Sequence, residues 1–195
     1  MSFVEILRQP LRVFRDHTVI VLVTLGLALS AMFYPSDMEG RYATSKGGQG
    51  DWLVETTEDY GRHLNTLIPL GAALVLRDVT GLKQIVVITV AGIVASHGPK
   101  RLLNNVEVLG TRLGQRPYAP DSKHNSPSGH STLAGAGAYV AMRRYSPWFA
   151  LIVLPILLLT MYARVMLDLH TVSAVIAGAL TGLLVASLFA TKREG

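Results

Sequence analysis

The chain has 195 residues, half of them hydrophobic and only 16% charged, against about 25% charged in a soluble domain. Its apolar residues gather into long stretches free of Lys, Arg, Asp and Glu, which excludes an ordinary soluble globule and implies an all-α, polytopic membrane protein. The formal charge of +5 does not imply nucleic acid, because the basic residues sit at segment ends with no basic stripe or aromatic stacking platform. Cysteine is absent, so disulfide and thiol chemistry are excluded too.

In chain order, residues 1–16 set Phe3, Leu7, Leu11 and Phe14 at helical spacing, with Arg8, Arg12 and Arg15 elsewhere. This is the pattern of an interfacial amphipathic helix, interrupted near Pro10. Residues 17–195 are read as one transmembrane domain. Its first apolar run, 18–36, exceeds the roughly 7–15 residues of a signal core and reads as an anchor. A polar link follows to Arg62, with Trp52 and Tyr60 as interfacial anchors. Residues 64–76 are a short second run, 77–83 a tight turn, and 84–99 a third run with His97 near its end. Residues 100–127 form a polar loop. The fourth run, 127–142, is rich in Ser, Ala and Gly, which lets helices approach closely in lipid. Residues 145–163 and 171–191 complete six helices.

Six helices put both termini on one side, with Arg8, Arg12, Arg15, Arg77, Lys83, Arg143, Arg144, Lys192 and Arg193. The other side has as many basic residues, but in much longer loops. The denser side is the expected cytoplasmic one. That orientation sends the loops after the third and fifth helices to the outer face, which in a bacterial inner membrane is the periplasm.

Those loops carry the chemistry. Residues 116–131 read RPYAPDSKHNSPSGHS, and 163–170 read ARVMLDLH. A phosphate ester repels nucleophiles, so breaking it needs donors and positive charge aimed at the oxygens that gain charge. Arg116 and Arg164 offer planar forks for such oxygens. Ser128 and Gly129 open a helix whose N–H groups face an anion, and Gly129 has no side chain to block it. His130 and His170 supply nucleophile and general acid, and residue type alone leaves the two exchangeable. Paired histidines also suit a metal, but Glu107, Asp121 and His124 lack tight ligand spacing and the arginines would repel a cation. No metal or other cofactor is expected, and no obligate protein partner.

Arg116-Pro117, Pro127-Ser128-Gly129-His130 and Arg164-x5-His170, in that order, resemble the type-2 phosphatidic acid phosphatase superfamily, which is integral-membrane and vanadium-haloperoxidase-like. The family pattern is Lys-x6-Arg-Pro, Pro-Ser-Gly-His and Ser-Arg-x5-His-x3-Asp. Two departures stand out. The lysine at that spacing is missing, and Lys100, Arg101 and Arg112 compete for its place, Lys100 by way of an insertion around residues 104–110. The Asp after the second histidine is Ala174. The wider strings, Lys100-Arg101 through Tyr118, Asn125 to Ser131, Met142 to Tyr145 and Ala163 to Thr171, resemble the lipid A 1-phosphatase branch, where the resemblance implies both departures are native.

The resemblance implies His170 as the nucleophile of a phosphohistidine intermediate and His130 as general acid and then base. It places Lys100, Arg116, Ser128, Gly129 and Arg164 around the phosphate. It also implies a lipid A or phospholipid substrate and a role in lipopolysaccharide remodelling and antimicrobial-peptide resistance. Asp168 is the candidate to orient His170 in place of the missing acid, or else to pair with Arg164 four residues before it. Rival readings are an undecaprenyl-diphosphate or phosphatidylglycerophosphate phosphatase, and a catalytically inert lipid-binding membrane protein.

Overall fold

The computed structural model describes residues 1–193. Its helices are α1 (Phe3–Met32), α2 (Trp52–Thr56), α3 (Arg62–Val75), α4 (Val79–Leu102), α5 (Gly129–Val140), α6 (Ala150–Met166) and α7 (Val172–Phe189). A π-helical turn, Thr57–Gly61, joins α2 to α3, and another, Ala141–Tyr145, extends α5. The one two-stranded sheet among the described residues is a hairpin between α4 and α5, β1 (Glu107–Val108) with β2 (Thr111–Arg112). The chain is therefore mostly helical, as its composition requires. Among the described residues, four helices are long and apolar enough to cross a membrane: Phe3–Met32, Val79–Leu102, Pro147–Met166 and Val172–Phe189. The expected second and fourth runs form α3 and α5, which fall short of that length alone.

The bundle is organised around α5, which packs against α3, α4, α6 and α7. Small residues make that possible. A Cβ on Gly137 would lie 1.8 Å from the Asn65 carbonyl oxygen of α3, and one on Gly182 would lie 1.9 Å from the Thr132 carbonyl oxygen of α5. Neither position admits a side chain, so van der Waals contact replaces the hydrophobic drive that lipid cannot supply. Asn65 adds polar glue, donating from Nδ2 to the carbonyls of Ala134 (3.2 Å) and Val153 (2.9 Å). Ile88, Ala136, Val140, Val185 and Ala186 fill the core between α4, α5 and α7. At the α5 C-terminal end, Arg144 bonds Asp78 at 2.5 and 2.6 Å and the Gln84 side-chain oxygen at 3.2 Å.

Two features differ from the sequence reading, and a third, the expected insertion, takes a definite form. The N-terminal helix is not interrupted at Pro10. Helix α1 starts with a Ser2–Glu5 capping box, runs through Pro10 and breaks its helical geometry at His17. Losing the Pro10 N–H costs one backbone bond, which the flanking turns survive. The tight turn expected over 77–83 is shorter, because Asp78 caps α4 by accepting from Gly81 N–H at 2.9 Å, so residues 79–83 are helical. The insertion near 104–110 is the β-hairpin, with Leu109 and Gly110 both at positive φ in its turn.

Candidate active site

The site lies where the C-terminal ends of α4 and α6 meet the N-terminal end of α5. The hairpin first shortens the path between the two halves of the stretched first block. Leu113 N–H closes back on the Val106 carbonyl at 2.9 Å, so the chain leaving Lys100 returns beside it. Arg112 holds this loop shut, donating to the carbonyls of Asn104 (3.0 Å), Pro120 (2.6 Å) and Ser122 (2.8 Å). Its guanidinium is thereby committed to the loop. Lys100 is the residue that reaches the site: a Cβ on Gly129 would lie 3.8 Å from its Nζ and 3.6 Å from His97 Cε1. Lys100 is only 8% exposed. Packing does not demand the glycine, since those are ordinary contacts. What Gly129 leaves open is the space in front of the ammonium.

Arg116 and Arg164 complete a ring of positive charge, since both act on Lys100 and on His170. The Nε atoms of both arginines are buried with no hydrogen-bond partner. Buried donors are nearly always satisfied, so two unpartnered guanidinium N–H groups in the neighbourhood of a buried lysine are suited to an anion. Arg116 Nη2 donates to the His124 carbonyl at 3.2 Å, and Arg164 Nη1 is paired with Glu58. Among the described residues, no three His, Asp or Glu side chains come together as a metal site needs.

The helix start behaves only partly as expected. Ser128 is fully buried and caps α5, its hydroxyl accepting from the Ser131 N–H (3.5 Å) and hydroxyl (3.1 Å). Its own N–H donates to the Ala174 carbonyl at 2.9 Å and is not free for a phosphate. The open donors of this end are therefore the N–H groups of Gly129 and His130. The His130 side chain lies in the field of Arg164, Arg62, Lys100 and His63.

His170 sits in the link between α6 and α7 at 1% exposure. The N–H groups of Leu169 and His170 both close on the Arg164 carbonyl at 3.1 Å, tying the histidine to the end of α6. Its ring Nδ1 lies 2.8 Å from the Asn125 carbonyl oxygen. A carbonyl only accepts, so Nδ1 carries the proton and Nε2 presents its lone pair. Burial first, then the charges of Arg164, Lys100 and Arg116, hold this imidazole well below the ordinary histidine pKa of 6.5. It is a neutral base surrounded by cations.

Asp168 is not part of this arrangement. Its carboxylate accepts from the Ser45 hydroxyl at 2.6 Å and the Lys46 N–H at 3.2 Å, and bonds neither the His170 ring nor Arg164. The reason is backbone geometry: Asp168 stands at φ +56° in the turn that ends α6, which directs its side chain to the loop after α1. Arg164 takes Glu58 as its partner instead. Glu58 and Arg62 escaped the sequence reading because they lie in a link between apolar runs, where their i,i+4 spacing looks like an ordinary surface pair. The role of Asn125 was also invisible, since a backbone carbonyl leaves no residue-type signal.

A buried, neutral histidine in the field of two arginines and a lysine, near the start of a helix, is an arrangement suited to holding a phosphate in a membrane-associated phosphatase. Residues 68–194 match the PAP2 superfamily, and the chain belongs to it. It is a phosphatase of that family, a phosphoric monoester hydrolase. Relatives named lipid A 1-phosphatase occur in two Helicobacter pylori strains, J99 and 26695. The first is 36% and the second 35% identical over 175 residues, covering 90% of this chain and 88% of each relative. No solved structure matches.

Proposed function

We propose that this protein removes the 1-phosphate of lipid A at the periplasmic face of a bacterial inner membrane, through a phosphohistidine on His170. The observation that carries the mechanism is the 2.8 Å contact of His170 Nδ1 with the Asn125 carbonyl, which leaves Nε2 as the free nucleophile beside three cations. Lys100, Arg116, Arg164 and the Gly129 and His130 N–H groups hold the phosphate oxygens. The Nε2 lone pair attacks phosphorus, the sugar oxygen departs, and His130 gives it a proton. Water then attacks the phosphohistidine while His130 takes the proton back, and inorganic phosphate leaves with His170 regenerated. The incoming phosphate dianion brings the negative charge that lets His130 carry its proton among these cations.

The choice of lipid A rests on the two relatives, 36% and 35% identical over 90% of this chain. In the membrane, the continuous helical stretches Trp52–Val75 and Gly129–Tyr145 supply the second and fourth of six spans. Residues 1–16 then lie in the interface ahead of the bend at His17, with both termini cytoplasmic. Mass spectrometry of lipid A from cells expressing the chain tests the proposal. The expected result is loss of one phosphate with the wild-type chain and none with His170→Ala. Release from undecaprenyl diphosphate or phosphatidylglycerophosphate with lipid A untouched would reassign the substrate, and no release from any of them would leave a lipid-binding protein.

A further inference from the structure

Glu58 belongs to no motif of the reaction, yet it sits against its machinery. A single carboxylate oxygen, Oε1, takes both Arg164 Nη1 from the end of α6 and Arg62 Nη1 from the start of α3. The pair with Arg164 spans 106 positions of sequence, and both side chains are largely shielded, at 17% and 7% exposure. The other oxygen, Oε2, is buried with no partner, as is Arg164 Nε. The helix is also distorted at this place. Thr57–Gly61 is a π-helical turn in which Arg62 N–H reaches back to the Thr57 carbonyl. Such turns give up regular hydrogen bonding, occur mostly as single bulges within helices and are frequent at functional sites.

From these observations we infer that Glu58 is a positioning residue: it fixes the guanidinium of Arg164 at the phosphate, anchors Arg62 beside His130, and competes with bound phosphate for Arg164. The inference rests on the phosphatase reading for its kinetic consequence only. Lys100, Arg116, Arg164 and Arg62 crowd positive charge around one small volume. Without an internal counter-charge, that volume would bind ground-state phosphate, and product, too tightly, and tight ground-state binding does not accelerate the step. Oε1 acts on the face of Arg164 that it holds, while the orphaned Nε remains available to the anion. Arg62, in turn, donates from Nε to His63 Nε2 at 3.2 Å, so the same carboxylate steadies a second pair of residues near His130.

The test uses the full-length protein in detergent with Glu58→Gln and Glu58→Asp. The readouts are the affinity for inorganic phosphate, kcat and KM on the lipid substrate, and Tm. Gln keeps an acceptor but loses the charge, so it is expected to bind phosphate about threefold or more tightly. Its kcat is expected to fall about tenfold to a hundredfold as Arg164 loses its fixed pose. Asp keeps the charge on a shorter stem and is expected to recover part of kcat, with phosphate affinity near wild type. Any other pattern overturns the inference. That includes wild-type turnover in Gln, or equal losses in Gln and Asp that follow a fall in Tm, which is what a merely structural residue would give. If the wild-type chain releases no phosphate from any lipid, the functional reading fails, and the phosphate affinities alone decide the role of Glu58: tightening in Gln but not in Asp supports it, and unchanged or weaker binding in Gln overturns it.

Discussion

The ring of His170 donates from Nδ1 to the backbone carbonyl of Asn125 at 2.8 Å, and the Asn125 side chain locks the same segment from the other direction. Its Oδ1 accepts the Thr171 N–H at 3.1 Å and its Nδ2 donates to the Thr171 hydroxyl at 3.2 Å. Asn125 lies on the loop before α5, and Thr171 caps α7. A main-chain oxygen on one loop thus sets the tautomer of the proposed nucleophile on another, the task a carboxylate performs in a serine-protease triad.

His170→Ala should therefore abolish phosphate release by several orders of magnitude, as loss of a covalent nucleophile does, while leaving the protein folded. Asn125→Ala keeps the carbonyl but frees the loop that carries it. It should lower kcat about tenfold to a hundredfold with little change in KM, because misaiming a reacting group costs rate before it costs binding. Phosphate release from the purified variants measures both. Wild-type kcat in Asn125→Ala would mean that the carbonyl holds its place without the side chain.

Arg116→Lys should lose about tenfold or more in kcat/KM despite keeping its charge. The Nε of Arg116 is buried and unpartnered, so the residue has a donor in reserve that a point charge on a flexible stem does not reproduce. Steady-state kinetics on the lipid substrate decide. A near-normal value would reduce Arg116 to bracing the loop at the His124 carbonyl, its one side-chain bond to the protein.

The site was legible in the sequence wherever it is built from side chains next to recognisable turns. Arg116, Arg164 and Lys100 lie close enough to His170 for their charges to act on it, and Arg164 and Lys100 act likewise on His130. Lys100 reaches the start of α5 at Gly129, and the inserted residues fold into a hairpin. The small-residue content of α5 likewise announced a closely packed helix, and Gly137 shows how close. What stayed hidden is what sequence pattern does not encode. The Asn125 carbonyl is identical in every residue type. The commitment of the Ser128 N–H to Ala174 is a tertiary contact. Glu58 needed the π turn and the end of α6 to become more than a helix-surface charge. The π-helical turns that adjoin α3 and α5, Thr57–Gly61 and Ala141–Tyr145, were hidden for a related reason, since they carry polar residues at or beyond the ends of the apolar runs.

The pH dependence follows from the environment of His170. Burial and three neighbouring cations lower its pKa below 6.5, so the ring stays neutral and nucleophilic to a more acidic pH than an ordinary histidine. The acid limb of kcat/KM that belongs to it should fall below pH 6.5. The substrate phosphate adds its own ionisation near pH ~6, so the diagnostic is a shift. Arg116→Gln removes one of the depressing charges and should move the His170 limb upward, while the substrate limb stays in place. Stability carries the same sign: the unfolded chain takes up this proton near 6.5 and the folded one does not, so acidification below that value favours unfolding. A pH–rate profile whose acid limb is unmoved by Arg116→Gln would count against the electrostatic account.

The last prediction concerns Asp168 and Ala174 together. Asp168 holds the Ser45 hydroxyl and the Lys46 N–H, a latch between the end of α6 and the loop after α1, and it does so from a left-handed backbone conformation. Asn preserves the shape of that latch and tolerates the conformation. Asp168→Asn should therefore reduce kcat less than about tenfold, far short of the loss of about 10⁴ that follows when a true triad acid is neutralised. Asp168→Ala should be worse for stability than for chemistry, since a left-handed alanine costs about 1–2 kcal/mol and the latch is gone. Ala174→Asp should not improve either variant, because the single proton on Nδ1 of His170 is already given to Asn125 and Ala174 is fully buried. Measuring kcat and Tm across the four single and double variants separates the outcomes. A hundredfold loss in Asp168→Asn that an acid at position 174 repairs would return the ring-orienting role to Asp168 and overturn the assignment to the Asn125 carbonyl.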